Sequence, residues 1–312
     1  MPKLFLKFSL LFLLVGCASS KKIKFDDYIF QTKTDKDSYI ASYNKALKLW
    51  DVPYTEDTIQ TTFGIAHVII AGPKNGKGLV LLHGMDASST MWYPNSKVLA
   101  KTHRIYAIDF LMEPGKSTLT AKPLSTEEIV AWYRQIFDHF KLKNFDIVAA
   151  SRGGWTATLL ATQKENSIDR IVLLSPAQTF KSIDKMRKMT PALLLKLFPN
   201  EKRFTKTLKT FATHPENINP VYKRQFYLAN HFAKSNSNML KMQPFSDDEL
   251  KSIQNPVLVL IGDHDVVNSD ESLKRAQKYL VHCKTIIIKD AGHFLSTDQP
   301  HIVNEAITDF LN

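Results

Sequence analysis

The sequence contains very little cysteine, no internal repeats and no long apolar run at its N-terminus. Cys17 and Cys283 are the only cysteines among 312 residues, which excludes a fold that depends on several disulfides. Cys283 is interpreted as a small buried hydrophobic residue. The apolar run at residues 8–15 is too short for a mature transmembrane helix. The chain is therefore expected to fold around an ordinary hydrophobic core.

What the sequence does contain is the composition of one globular domain. Hydrophobic residues make up 44% of the chain and charged residues 23%, as in core-forming proteins. The length fits one α/β domain that carries an insertion. We assign the domain to residues 38–312 and a helical insertion, the predicted lid, to residues 177–245.

The N-terminus has the form of a bacterial lipoprotein signal. Lys3 and Lys7 precede the apolar run, and Leu-Val-Gly-Cys at residues 14–17 resembles a lipobox. We therefore expect a signal peptide at residues 1–16 and lipidation of Cys17, because several acyl chains give stable membrane anchoring. The alternative is an ordinary export signal with a chance cysteine.

Export predicts a location on a membrane face outside the cytoplasm. Ala18 and Ser19 resemble the residues that follow the lipidated cysteine in lipoproteins sent to the outer membrane, where the cell has two membranes. Residues 17–37 are polar, rich in lysine and without a hydrophobic pattern. They are expected to form a tether between the lipid and the fold.

A strand, a sharp turn and a helix are predicted around Ser151. Residues 145–150 are mostly apolar, two glycines follow shortly after the serine, and residues 155–160 have a helical pattern. A turn of the form small-x-Ser-x-Gly presents a nucleophilic serine on strained backbone, with small residues that let strand and helix pack closely. Ala149 stands where glycine is usual, and its methyl group is the smallest possible addition.

The other members of a catalytic triad follow in the expected order. Asp265 and His293 each come after a predicted apolar strand, so each is expected at the carboxyl end of that strand, where sites on parallel sheets form. His293 would accept the proton of Ser151, and the acid would hold the imidazole in the correct tautomer. Asp263 is the alternative acid.

Together these motifs resemble the α/β-hydrolase superfamily, and further segments resemble one group within it. That group is the bacterial carboxylesterases of the naproxen-ester-cleaving (NP) type. The similar segments are Asp-Val-Pro-Tyr at 51–54, Thr-Phe-Gly at 62–64, Ser-Ser-Thr-Met-Trp-Tyr-Pro-Asn at 88–95, Ser-Pro-Ala at 175–177 and Ala-Gly-His at 291–293.

The resemblance implies an α/β fold, with a mostly parallel central sheet, helices on both faces and a helical lid. It also implies hydrolysis of carboxylic esters, often small or aryl ones, without a cofactor or metal. The backbone N–H groups of Met85 and Arg152 would form the oxyanion hole. Candidate pocket residues are Trp92, Met85, Phe110 and Trp155, with an ordinary place in the core as the alternative for each, and His83 is interpreted as structural.

The predicted lid is strongly basic. Between residues 177 and 245, thirteen Lys or Arg stand against three acidic residues, a net of +10 in a chain of net +11. This charge favours contact with the membrane that holds the anchor or with anionic substrates, and a plain solvated surface is the alternative. Charge reversal at Lys202, Arg203 and Lys206 is expected to weaken vesicle binding. Nucleic acid is not expected as a partner, because no binding motif accompanies the charge.

Two other functions remain open from the sequence. A lysophospholipase or thioesterase would use the same triad on acyl substrates at the membrane. A non-catalytic binding lipoprotein would use the fold without the chemistry, although retention of Ser151, Asp265 and His293 argues against it. A haloalkane dehalogenase is disfavoured, because that chemistry requires aspartate at the turn.

Overall fold

The computed structural model describes residues 27–119, 123–163, 167–183, 186–234 and 242–312. The predicted signal peptide and Cys17 lie outside these residues, and so does the tether up to residue 26. Within the described part of the chain, no helix combines the length and apolar character needed to cross a membrane.

One sheet forms the centre of the described fold. Its strands are β1 Tyr54–Thr61, β2 Gly64–Ala71, β3 Lys77–Leu82, β4 His103–Asp109, β5 Thr118–Leu119, β6 Phe145–Ala150, β7 Ile168–Leu174, β8 Val257–Gly262 and β9 Cys283–Ile288. The spatial order is β1-β2-β4-β3-β6-β7-β8-β9, with β5 paired to β2. The strands from β4 to β9 in this order are parallel, and β2 is antiparallel to β1, β4 and β5.

Helices cover both faces of the sheet. They are α1 Lys33–Leu47, α2 Ser96–Leu99, α3 Thr126–His139, α4 Arg152–Thr162, α5 Thr190–Leu197, α6 Glu201–Phe211, α7 Pro220–Phe232, α8 Asp247–Ser252, α9 Asp270–Tyr279, α10 Leu295–Asp298 and α11 Pro300–Leu311. Alternation along β3 separates two core layers. Val80 and Leu82 pack with α3 and α4, whereas Leu79 and Leu81 pack with α1 and α11.

The N-terminal boundary of the fold differs from the prediction. Helix α1 begins before residue 38, the predicted start of the domain, because the Thr32 side chain accepts the Asp35 N–H at 3.1 Å and caps the helix at Lys33. Ile29 and Phe30 are buried. The described fold therefore begins within the predicted tether, because the apolar side chains of Ile29 and Phe30 attach this lysine-rich stretch to the domain.

Cys283 is only partly buried, in contrast to the prediction. It begins β9, which lies at the edge of the sheet and has one neighbouring strand, β8. Burial still raises the pKa of its thiol to about 11, so the side chain is a protonated thiol at neutral pH.

The segment between β7 and β8 holds the helices of the predicted lid. Helices α5, α6 and α7 share a small apolar cluster of their own, which includes Leu195, Phe204 and Tyr222. This layer lies over the carboxyl ends of the strands, where the end of α6 meets the loop after β9.

Candidate active site

Ser151 occupies a sharp turn between β6 and α4. Its backbone has φ 51° and ψ −115°, a conformation that a residue with a side chain rarely adopts. The turn needs glycine at 153, because a Cβ there would lie 2.2 Å from the carbonyl oxygen of Leu82. Ala149 is fully buried in β6, so the fold accommodates the methyl group that replaces the usual glycine hydrogen.

The structure brings the three predicted triad residues together. His293 Nε2 lies 2.9 Å from Ser151 Oγ, and His293 Nδ1 lies 3.1 Å from Asp265 Oδ1. The three side chains come from the carboxyl ends of β6, β8 and β9. A hydroxyl, an imidazole and a carboxylate in this order can move a proton from serine to histidine.

The environment of Asp265 keeps it ionised. Its side chain has no exposed surface, and it also accepts the Val267 N–H at 2.8 Å and the Asn268 side-chain amide at 3.0 Å. Burial by itself raises the pKa of Asp265, but the charge and hydrogen bond of His293 and these two donors outweigh it and lower the pKa below its usual value.

Asp263, the alternative acid, has different partners. Its carboxylate contacts the exposed ring of His264 at 2.7 Å and accepts the Ala291 N–H at 3.2 Å. These contacts link the turn after β8 to the loop after β9, and Asp265 is the carboxylate that reaches His293.

The predicted oxyanion donors lie on either side of Ser151. Arg152 is the first residue of α4, where backbone N–H groups have no partner within the helix. Met85 follows Gly84, and a Cβ on Gly84 would lie 3.3 Å from Ser151 Cβ. The loop after β3 and the start of α4 therefore meet at the serine, as the predicted role of Met85 and Arg152 requires.

Glu113 links these two loops and was not predicted from the sequence. Its buried carboxylate accepts the Asp86 N–H at 2.9 Å and the Arg152 Nε–H at 3.2 Å. Burial raises the pKa of Glu113 above its usual value, although the Arg152 guanidinium acts in the opposite direction. One side chain thus contacts the residue after Met85 and the residue after Ser151. The sequence contained no signal for it, because Glu113 stands in no motif that predicted a site.

Asp298 is a second residue that the sequence reasoning missed. Its carboxylate accepts the N–H groups of Gly292 at 2.8 Å, Thr213 at 3.0 Å and His214 at 2.9 Å. It therefore fastens the loop that carries His293 to the segment between α6 and α7. All three donors are backbone N–H groups, so the types of the residues that carry them do not reveal the contact.

The residues predicted around the triad have distinct roles. His83 is structural, since its Nε2 accepts the Phe110 N–H at 2.9 Å, its Nδ1 donates to Gly84 O at 2.8 Å, and burial lowers its pKa to about 4. Trp92 has no exposed surface and is part of the core. Phe110 lies under the Arg152 guanidinium, with its ring centroid 3.8 Å from Arg152 Cζ. In the described ranges, no cluster of three or more His, Cys, Asp or Glu side chains could hold a metal ion.

Met85 and Trp155 differ from Trp92 in their surroundings. Met85 is partly exposed beside the serine loop, as a pocket residue would be. Trp155 is buried, stacks near Phe245 and donates its indole N–H to Gln243 O at 2.9 Å. Trp155 therefore holds the end of the lid segment against α4.

Comparison with known proteins agrees with this geometry. A family described as having the alpha/beta hydrolase fold matches residues 78–300. The chain is 30% identical over 282 residues to the "Uncharacterized carboxylesterase nap" of Bacillus subtilis, covering 88% of this chain and 92% of the relative. It is 28% identical to "Carboxylesterase YbfK" of the same species, covering 88% and 93%.

Solved structures show the same similarity. The crystal structure of naproxen esterase (carboxylesterase NP) from Bacillus subtilis superposes with a TM-score of 0.85 at 30% identity, over 90% of this chain and 99% of that one. Carboxylesterase CesB (YbfK) from the same species gives 0.79 at 28% identity, over 89% and 98%. The predicted fold and resemblance are confirmed. The chain therefore belongs to the α/β-hydrolase family, and bacterial carboxylesterases are among its relatives.

Proposed function

We propose that this protein is a serine carboxylesterase that hydrolyses its substrate through an acyl-enzyme. The observation that carries the proposal is the position of His293, whose ring contacts Ser151 Oγ on one side and Asp265 on the other. The carboxylesterase relatives agree with the predicted enzyme class, a carboxylic ester hydrolase.

The chemistry follows from the positions of the three side chains. His293 Nε2 accepts the Ser151 proton while Oγ attacks the ester carbonyl carbon, and the imidazolium formed is stabilised by Asp265. His293 then gives this proton to the departing alcohol oxygen as the ester C–O bond breaks. Water, activated by the same imidazole, attacks the acyl-enzyme and releases the acid.

The oxyanion would be held by the backbone N–H groups of Met85 and Arg152. Each such preorganised donor can stabilise the tetrahedral intermediate by about 3 kcal/mol. Glu113 supports both donors, because it binds the N–H of Asp86 next to Met85 and the side chain of Arg152.

The substrates proposed are small or aryl carboxylic esters, as the resemblance implies, and the relative named as a naproxen esterase supports a carboxylic ester as substrate. Lysophospholipids or thioesters are the second candidate, favoured by an exposed apolar helix in the lid segment. Hydrolysis of p-nitrophenyl acetate and of a long-chain lysophosphatidylcholine distinguishes the two. Faster turnover of the aryl ester supports the first, and a clear preference for the lysolipid supports the second.

Ester turnover also tests the triad. Replacement Ser151→Ala is expected to abolish hydrolysis of p-nitrophenyl acetate above background, whereas Ser252→Ala, on α8 and outside the site, is expected to retain it. Full activity of Ser151→Ala, or an inactive folded wild type, would contradict the proposal and favour a binding lipoprotein.

We also propose that the protein is exported, loses residues 1–16 and is anchored to a bacterial membrane through Cys17. The support is the lipobox-like sequence before this cysteine. Mass spectrometry of the N-terminal peptide from a membrane fraction tests it. A diacylglyceryl modification on Cys17, absent in Cys17→Ala, is expected. An unmodified chain that still begins at Met1 contradicts it.

A further inference from the structure

Helix α5 of the lid presents apolar side chains to solvent. Leu193, Leu197 and Phe198 are 59%, 55% and 58% exposed, while Leu195 on the opposite side is buried. Soluble proteins rarely leave several large apolar side chains together on one short helix without a partner. This surface, which we call the α5 face, therefore has the character of a docking surface.

Positive charge borders the α5 face on both sides along the chain. Arg187 and Lys188 are exposed just before α5, and Lys202 and Lys206 are exposed on α6 just after it. Arg203 donates to the carbonyl oxygen of Phe198 at 2.9 Å and lies over its ring.

Among the described residues, the acidic residue at the start of α6 is already engaged. Glu201 is paired with Arg224 at 3.3 Å. An apolar centre with a basic border is complementary to the acyl chains and headgroups of an anionic bilayer.

The N-terminal end of the described chain lies in the same layer as α5. Ile29 O accepts the Lys234 N–H at 2.7 Å, and Phe30 forms a β-bridge with Ala233, just after α7. Helix α7 packs on α6 through Phe226 and Phe204.

Cys17 is ten residues before Asp27 in the sequence. A fully extended segment of that length spans at most about 35 Å. The chain from the proposed lipid anchor therefore joins the described fold beside the lid helices.

We propose that the α5 face docks the lid onto an anionic phospholipid bilayer, with the three apolar side chains at the headgroup–acyl boundary and the bordering lysines at the headgroups. The orientation of the lid toward the bilayer rests on the proposed lipid anchor. The docking proposal adds esters held at a membrane surface to the substrates of the proposed function. Lys196 of α5 pairs with Asp86 beside the oxyanion loop, and the Phe211 ring lies 5.6 Å from that of His293. The docked helix thus adjoins the active site, which would receive esters held at the membrane surface.

Vesicle co-sedimentation tests the α5 face without the lipid anchor. Residues 18–312 contain every residue that the structure describes and lack the lipidated cysteine, so binding reports on the folded domain. Vesicles of phosphatidylcholine with one quarter phosphatidylglycerol are compared with vesicles of phosphatidylcholine alone. Binding to the anionic vesicles at least about tenfold tighter is expected, given the number of basic residues near the surface.

Two variants separate the apolar and the charged contributions. Leu193→Ser with Leu197→Ser and Phe198→Ser is compared with Val281→Ser and Ile302→Ser, which change exposed apolar residues elsewhere. Lys188→Glu with Lys202→Glu and Lys206→Glu is compared with the same change at Lys143, Lys278 and Lys284. Each α5-face variant is expected to lose binding about tenfold or more, and each control is expected to bind like the wild type. Arg203 is left intact because it holds the end of α5.

Other outcomes overturn the proposal. Equal binding to both kinds of vesicle, or unchanged binding of the apolar variant, contradicts membrane docking. A wild-type dimer that the apolar variant abolishes, without vesicle binding, would show that the α5 face is an interface between copies. Labelling of Ser151 by a soluble fluorophosphonate is measured on every variant, because its loss reports failure of the fold or of the esterase proposal and not of docking.

Discussion

Asp263 and Asp265 show how neighbouring residues of one type acquire different roles. The side chain of Asp265 is fully buried against His293, whereas that of Asp263 is 24% exposed and bonded to a surface histidine. Only a buried carboxylate keeps its full electrostatic effect on an imidazolium, because solvent does not screen it. The carboxylate that acts on His293 is therefore Asp265.

Replacement Asp265→Asn should lower kcat by about four orders of magnitude, because an amide no longer fixes the imidazole tautomer that can accept the Ser151 proton. Steady-state kinetics on p-nitrophenyl acetate measure this effect. The matched control Asp263→Asn should retain kcat within about threefold, since its side chain contacts His264 and the Ala291 N–H but not His293, and an amide oxygen can still accept the Ala291 N–H. Equal losses of kcat in both variants would show that the turn after β8, and not the carboxylate of Asp265, determines the activity.

The triad could be predicted at the residue scale, and its supporting residues could not. Ser151, Asp265 and His293 each stand in a local motif after an apolar strand, so the sequence predicted that they meet at one edge of the sheet, with Asp263 left open as the alternative acid. Glu113 and Asp298 act on backbone N–H groups distant in sequence, and no residue type marks such a partner.

At the scale of elements, the lid segment and the loop carrying His293 behave as one unit. The Phe294 N–H donates to Phe211 O at 3.1 Å, and Asp298 on α10 accepts two N–H groups from the segment after α6. The helices of the insertion could be predicted from apolar spacing and prolines. Their attachment to the site depends on these backbone contacts, which the spacing does not encode.

Replacement Asp298→Ala leaves one buried and two partly buried backbone donors without their acceptor, and each such loss costs about 1 kcal/mol. We expect unfolding by urea to show a loss of about 3 kcal/mol, together with a lower kcat from a displaced His293. Asp290→Ala is the control, because Asp290 is exposed and its carboxylate pairs with His214. Wild-type stability and kcat in Asp298→Ala would contradict the proposed link.

At the scale of the whole molecule, a buried ion-pair network joins the antiparallel part of the sheet to the parallel part. His67 on β2 contacts Asp109 on β4 at 3.0 Å and Glu56 on β1 at 2.8 Å, and Lys116 also pairs with Glu56. Burial lowers the pKa of His67, but the hydrogen bonds and charges of the two carboxylates raise it to about 9. The pKa of Glu56 falls to about 2, mainly through its hydrogen bond to His67.

This network predicts how stability depends on pH. Because the pKa of His67 is higher in the folded chain than the ordinary histidine value of 6.5, its contribution to stability is complete below about pH 6.5 and is lost as the pH rises through about 9. Urea unfolding should show a free energy lower by about 2 kcal/mol at pH 9.5 than at pH 6.5. The variant His67→Gln should lose most of this pH dependence of the unfolding free energy. The variant His301→Gln, at an exposed position, should keep it. A wild type equally stable at both pH values would contradict the charged state of His67.

The mostly parallel arrangement of the central strands could be predicted, because apolar runs ending in motif residues are typical of this fold. The sequence did not predict the network around His67, because this histidine stands in no recognisable motif. Its partners Glu56 and Asp109 belong to other strands, and the antiparallel register of β1 and β2 and of β2 and β4 brings them together. Long-range register is a property of the assembled sheet and not of any local segment.

The central claim is that Ser151 is a nucleophile activated by His293. Labelling of the purified protein with a fluorophosphonate, followed by intact-mass and peptide mass spectrometry, tests it most directly. We predict a single adduct located on Ser151, absent in Ser151→Ala and strongly slowed in His293→Ala. A folded wild type that stays unlabelled, or an adduct on another residue that persists in Ser151→Ala, would contradict the account.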